Sequence, residues 1–325
     1  MRRSMIGFFL AIICATALIG SADARITLGE TARLSLRFNV LASNPGQAAR
    51  DVRINLPVLV EEGLPFYQRL VAGASFSGPA NYRRNGGDEA VFSLDTLAGG
   101  AQVELNLSYE CEIRPATYHL PWFPRRRWPE VPRSLAKYLA PEEGIEADHQ
   151  EILGFAQRKR GRSNDPVRRA KALYAATNLA LTYDANAGKT TALEALRRGR
   201  ASCEGYARLY AALCRAAGIP ARLVYGLRLK QKELTKKEIL ADTARHVWNE
   251  VYLAGLGWVP VDPTFSYTVN GRKNVTYDYF ARIGHHGDLH VVLGYNKQTI
   301  SWNFRVPPGH PGLNVEHHIF LRLAD

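Results

Sequence analysis

Residues 199–227 read GRASCEGYARLYAALCRAAGIPARLVYGL, and the fold class turns on how this stretch is understood. Leu209, Tyr210, Leu213 and Ala217 fall on one stripe at helical spacing, which predicts a buried helix. Gly218 is placed to cap its C-terminus, and Ile219-Pro220 forces an extended entry into a strand over Arg222 to Leu227. Cys203 therefore stands at the first turn of a core helix. Unpaired backbone N–H groups and the helix dipole there favour a thiolate, the nucleophilic form of cysteine, and can also hold an oxyanion. A single cysteine at a helix start is more often structural, so its weight depends on the residues downstream.

Those downstream residues predict a hairpin. His246-Val247-Trp248-Asn249-Glu250-Val251-Tyr252-Leu253 alternates like a strand, Ala254-Gly255-Leu256-Gly257 forms a turn, and Trp258-Val259-Pro260-Val261-Asp262-Pro263-Thr264 returns. His246 lies at the start of one strand and Asp262 near the end of its neighbour. Antiparallel pairing about a turn centred near Gly255 is expected to put them side by side.

The strings GxxxCEGYAxL, GIPAR and VPVDPT, with Cys, His and Asp in that order, resemble the transglutaminase-like superfamily of papain-like fold, especially its bacterial members. The resemblance covers roughly residues 170 to 265. It implies an α+β core with the nucleophile helix packed on an antiparallel sheet. It also implies a Cys203 nucleophile, His246 taking and returning its proton, Asp262 fixing the imidazole, and acyl transfer through a thioester. The family calls for a further oxyanion donor upstream of the nucleophile, for which Asn178 and Tyr183 are the candidates; Tyr183 serves equally as a packing residue at a helix exit. Glu204 is part of the motif and reads as a salt-bridge partner or a substrate contact. Trp248, Trp258 and Tyr252 read as hairpin core, although the resemblance allows an aromatic such as Trp248 near the cleft. Hydrolysis of protein or peptide amides and transamidation of glutamine side chains draw on the same residues. A binding module that keeps the fold is the alternative of another class, and loss of a triad member would have favoured it.

On the N-terminal side of this region, Asp165 is a candidate N-cap with Pro166 at the first helical position, and Ala170, Leu173, Tyr174 and Thr177 predict a helix to about Leu181. A short helix over Thr191 to Leu196 ends at Gly199. Residues 114–165 carry six prolines, the Arg125-Arg126-Arg127 run and Arg158-Lys159-Arg160-Gly161-Arg162. They read as an extended linker, solvated or in contact with an anionic surface assisted by Trp122, Phe123 and Trp128. Residues 25–113 alternate in short runs (Leu34, Leu36, Phe38, Val40; Val103, Leu105, Leu107, Tyr109) with Gly-rich turns, as in a small β-sandwich. Arg2 and Arg3 before the apolar run Ile6 to Ile19, closing on Ala22-Asp23-Ala24, read as a signal peptide. The expected division is thus signal peptide 1–24, β-sandwich 25–113, linker 114–165 and catalytic domain 166–325. The expected location is outside the cytoplasm, secreted, periplasmic or envelope-associated.

The chain carries a formal charge of +12. In an exported protein this suggests attraction to anionic envelope polymers or lipid headgroups, with a protein or peptide of the envelope as the substrate class and no nucleic acid as partner. Of the three cysteines beyond the leader, Cys203 and Cys214 lie about 16 Å apart along one helix and cannot bridge. Cys214 reads as a small core residue. The insert Lys230 to Glu238 reads as a solvated loop or a basic flap over the cleft. His285-His286-Gly287-Asp288-Leu289-His290 has metal-ligand chemistry, but strand spacing points His286 and His290 to one side without a partner cysteine or glutamate at convincing spacing. No metal and no cofactor are assigned from the sequence.

Overall fold

The computed structural model describes residues 25–57, 59, 64–85, 89–120, 128–295 and 301–323. The leader-like segment, Trp122, Phe123 and the Arg125–Arg127 run lie outside these. Two antiparallel sheets make the N-terminal sandwich. In Ala32–Ser43, Leu34, Leu36, Phe38, Val40 and Ala42 are buried at every second position, the period of a strand with one face on a core. This strand lies between Gln102–Ile113 and Asn314–Leu323, with Gln68–Ser77 at one edge and Ile239–Leu240 at the other. The second sheet orders Ser301–Arg305, Ala49–Pro57, Glu89–Leu97 and Asn81–Asn85.

Residues 301–323 thus belong to the sandwich, which corrects the division expected from sequence. Asn314–Leu323 pairs with Ala32–Ser43 along its whole length, from Ser43 with Asn314 to Leu34 with Leu323. Val315, Ile319, Leu321 and Leu323 pack on the sandwich core. Alternation along a C-terminal segment reveals a strand but not its partner, which here lies nearly three hundred residues upstream.

The linker reading is corrected as well. Ala116–His119 pairs with Arg25–Leu28 and with Arg282–Ile283. Gln150–Lys159 forms helix α1, whose Ile152 and Ala156 are buried. Arg215 reaches the preceding loop, its side chain fully buried and bonded to the carbonyls of Ala140 and Ala221 and to Glu142 at 2.6 Å. Apolar residues at i and i+4 within a basic, proline-flanked stretch are enough for a short helix once a partner surface covers them.

The second half is built on a four-stranded sheet ordered Gly257–Val261, Arg245–Leu253, Ala221–Leu229 and Leu289–Tyr295. Helices α2 (Pro166–Ala180), α3 (Ala192–Arg198) and α4 (Cys203–Ala216) share its core with α1. Asp165 caps α2 by accepting from the N–H groups of Val167 and Arg168, as its sequence position predicts. Leu209 and Leu213 of α4 are fully buried, each contributing roughly 1.5–3 kcal/mol of transfer free energy. Leu227, Leu229, Leu289, Val291 and Leu293 join the sandwich core instead. Gln68 completes the seam: its side-chain amide donates to the Val292 carbonyl and accepts from the Val292 N–H, at 2.8 and 2.7 Å, as a neighbouring strand would. No helix among the described residues is long and apolar enough to cross a membrane.

Candidate active site

Cys203 is the first residue of α4, and its thiol is half-buried. A two-residue parallel bridge, Arg200 with Thr182 and Ala201 with Tyr183, sets the entry to the helix. Ser202 makes no side-chain cap, so the first-turn N–H groups are not drawn off by it. Packing at Gly205 explains why glycine comes directly after Cys203-Glu204. A Cβ there would lie 2.3 Å from Thr190 Oγ1 and 2.6 Å from Ala201 Cβ, so only glycine lets the helix start pack this tightly.

The hairpin forms, with Leu253 opposite Gly257 and Asn249 opposite Val261. Extending that register sets Asp262 opposite Trp248, so His246 and Asp262 meet on the diagonal rather than side by side. The ladder stops before them. The Asp262 N–H donates instead to the Tyr279 carbonyl, and its Oδ1 accepts from the Thr264 N–H. Its Oδ2 lies 2.6 Å from His246 Nε2. Burial by itself would depress the His246 imidazolium, but the charge and hydrogen bond of Asp262, with the Cys203 thiol as a further hydrogen-bond partner, push it up to about 10. Burial acts on Asp262 in the opposite sense; the adjacent His246 outweighs it and holds the carboxyl below its usual range. The imidazole thus has both the Asp262 carboxylate and the Cys203 thiol as neighbours.

The supporting residues separate. Tyr183 is exposed and lies beside the site; burial, then the neighbouring Cys203 and Asp262, raise its phenol. Asn178 is fully buried, and its amide donates to the carbonyls of Pro263 at 3.0 Å and Phe265 at 2.6 Å. Its donors are committed to holding the turn after Asp262, which corrects its reading as an oxyanion donor. Glu204 pairs with Arg208 at 2.7 Å and accepts from the Tyr225 hydroxyl at 3.0 Å, a packing role on the flank of α4. Trp248 is buried with its ring stacked near that of His246, centroids 6.1 Å apart. Gly226 makes room for it, since a Cβ there would fall 2.5 Å from the indole. Burial pushes the thiols of Cys111 and Cys214 up to about 12, leaving Cys203 as the accessible thiol among the described residues.

His290 joins this site through the fold alone. It does not share a side with His286, because His286 sits in a tight turn at φ 57° whereas His290 lies within the strand Leu289–Tyr295. Its ring packs on Trp248 and on His246, with centroids 5.3 and 6.2 Å apart. It is 1% exposed, and neither ring nitrogen has a hydrogen-bond partner among the described residues. Burial, then the charge of His246, hold it neutral, down to about 3. A lone histidine inside the apolar run Leu289 to Leu293 is the only signal the sequence offers for it. Donor atoms of His246, Asp262 and His290 lie within 4.8 Å of one another. Two ligands of one tetrahedral zinc are separated by about 3.3 Å, however, so the 2.6 Å His246–Asp262 contact is that of a shared proton. Phe265 covers His246 from another side, backed by Tyr279 and by the Arg228 guanidinium 4.1 Å from its ring.

The family description Transglutaminase-like superfamily matches residues 154–263, a span that contains Cys203, His246 and Asp262. The chain carries a transglutaminase-like domain. A crystal structure of a proposed cysteine protease from Cytophaga hutchinsonii superposes over 92% of this chain and 100% of that one, with 13% identity and a TM-score of 0.58. Since most of the chain is covered, the fold with its N-terminal sheets is shared between the two. The periplasmic domain of TgpA from Pseudomonas aeruginosa is 17% identical over 76% of this chain and 94% of that one, at a TM-score of 0.38, too loose to bear on function. An uncharacterized protein of Haemophilus influenzae is 38% identical over 76 residues, 19% of this chain. The match spans about a fifth of that protein's length, 21%.

Proposed function

We propose that this chain is an exported thiol enzyme that cleaves protein or peptide amides through a Cys203 thioester. The observation that carries the proposal is Cys203 at the start of a core helix beside the His246–Asp262 pair of the hairpin, with the His246 imidazolium favoured by the buried carboxylate 2.6 Å away. In this mechanism Cys203 sulfur attacks the amide carbonyl and the first-turn N–H groups of α4 receive the oxyanion. His246 gives its proton to the departing amine, then takes one from the water that opens the thioester, while Asp262 holds the ring in place. Cys203 is half-buried beside the exposed Tyr183, so water reaches the acyl group, and hydrolysis needs no second binding site for an acceptor amine. Export rests on the leader-like N-terminus, and a polypeptide of the cell envelope is the substrate class that location and positive charge suit. The basic run Arg158 to Arg162 would supply contact with an anionic surface.

The test is iodoacetamide labelling of the folded mature protein, read cysteine by cysteine by mass spectrometry, and then a peptide screen with and without a fluorescent primary amine. Cys203 alone should be alkylated, Cys203→Ala should abolish turnover with little change in melting temperature, and product should appear without incorporated amine. Amine incorporation in place of cleavage would establish the transamidase. Turnover that survives Cys203→Ala would overturn the mechanism.

A further inference from the structure

The His285-His286 pair, which has no cysteine or glutamate partner at convincing spacing in the sequence, acquires an aspartate in the fold. Asp278 lies across the turn: its Oδ2 is 3.4 Å from His286 Nε2 and its Oδ1 is 3.8 Å from His285 Nε2. Successive residues of an extended chain point to opposite sides. Here His286 adopts a left-handed backbone, φ 57° and ψ 29°, between the turn glycines Gly284 and Gly287. The two imidazoles are thereby brought to the same side, with ring centroids 3.9 Å apart. One donor atom from each of the three side chains falls within 4.8 Å of the others.

These separations suit a shared ion. Ligands about 2.0–2.1 Å from a tetrahedral metal stand about 3.3 Å from each other; the two imidazoles stand 3.4 and 3.8 Å from separate oxygens of the carboxylate, and no two of the three donor atoms are more than 4.8 Å apart, so rotations that move the exposed donors by about 1.5 Å or less bring all three to one ion. By the same measure the His246–Asp262 contact in the candidate active site is too short. A second layer is present: the Thr276 hydroxyl donates to Asp278 Oδ2 at 2.8 Å and fixes the carboxylate, the usual support for a metal-binding carboxylate. Arg282 approaches the same carboxylate only to 3.9 Å. The side chains of His285, His286 and Asp278 are 31%, 63% and 43% exposed, which leaves solvent-side room for water ligands and a path for entry.

We propose that Asp278, His285 and His286 bind a divalent transition metal. Two imidazoles with one carboxylate select zinc, cobalt, nickel or copper over magnesium or calcium, which take oxygen ligands. The ion clamps the segment that holds the candidate active site, because the carbonyl of Tyr279, next to Asp278, accepts the Asp262 N–H at 2.9 Å and the Tyr279 ring packs tilted against Phe265 with centroids 4.4 Å apart. Binding to the folded state alone raises the melting temperature with metal concentration.

The experiment uses tag-free, chelator-treated mature protein in a Cys203→Ala background, so the thiol supplies no ligand and the result does not depend on acyl transfer. Cobalt(II) is titrated and its visible absorption recorded, zinc is added in competition, and melting temperatures are followed with zinc. Cobalt should give a saturable one-to-one band that zinc displaces. Asp278→Asn, His285→Gln and His286→Gln should each weaken binding at least about tenfold. His317→Gln, on the sandwich strand Asn314–Leu323, should leave it unchanged. His286→Gly removes the imidazole while relieving the left-handed backbone, so it keeps the metal-free melting temperature and loses the band. A missing band in the parent, or wild-type affinity in His285→Gln and His286→Gly, overturns the proposal.

Discussion

Replacing Asp262 with asparagine tests whether a buried carboxylate sets the charge of His246. In the wild-type protein the imidazolium is favoured up to about 10, against an ordinary 6.5, although burial alone would depress it. The interval from 6.5 to about 10, at 1.36 kcal/mol per pH unit, corresponds to about 5 kcal/mol. That is an upper figure, counted once for the pair, and the Cys203 thiol supplies part of it. The substituted amide can still accept from the Thr264 N–H but offers no charge, so the buried ring should become neutral at or below pH 6.5. Because the folded value lies above the unfolded one, the wild-type stabilisation is fully present below about pH 6.5 and lost as pH rises through 10. Asp262→Asn should therefore cost most below pH 6.5, and the gap to wild type should narrow on going to pH 9. Urea denaturation at pH 6, 7.5 and 9 measures the gap, and histidine NMR on selectively labelled protein follows the ring itself. A His246 that stays protonated at pH 8 in Asp262→Asn, or a gap independent of pH, refutes the reasoning. Some residual activity should survive, because an orienting group is less essential than the nucleophile.

Two further predictions concern the scaffold. Gly226→Ala places a Cβ 2.1 Å from the Val291 carbonyl oxygen and 2.5 Å from the Trp248 ring, and should cost about 1–3 kcal/mol or more by urea denaturation; a loss under about 0.5 kcal/mol would contradict the packing described. A chain ending after Tyr295 removes the strand that pairs Ala32–Ser43 along one edge and the edge strand of the second sheet. It should be insoluble or bind a hydrophobic dye strongly, and a soluble product with the wild-type melting temperature would show that the C-terminal strands are dispensable.

The division between what is legible in the sequence and what is not reflects the range of the interactions. Helix α4 and the hairpin around Gly255 are local: period, cap, Gly-Ile-Pro exit and turn residues lie within a few positions of the side chains they place. Cys203, His246 and Asp262 can accordingly be selected together from sequence. Asn178 shows the limit of that approach. Its position upstream of the nucleophile suggests an oxyanion donor, yet its amide is used 85 and 87 residues away, on Pro263 and Phe265. A side chain's hydrogen-bond partners are set by tertiary contacts, and a sequence does not order them.

A nucleophile-type cysteine at a helix start, the hairpin carrying His and Asp, and the alternating strands before them are all encoded locally, since each depends on propensity and periodicity over short spans. It took the folded chain to return the last strands to the first sheet, to weave the proline-rich stretch into both halves, and to set His290 under the candidate triad while His285 and His286 turn to Asp278. Those outcomes depend on long-range pairing and on one left-handed residue, and the free energy that selects them comes from burial and hydrogen bonds between segments far apart in the chain.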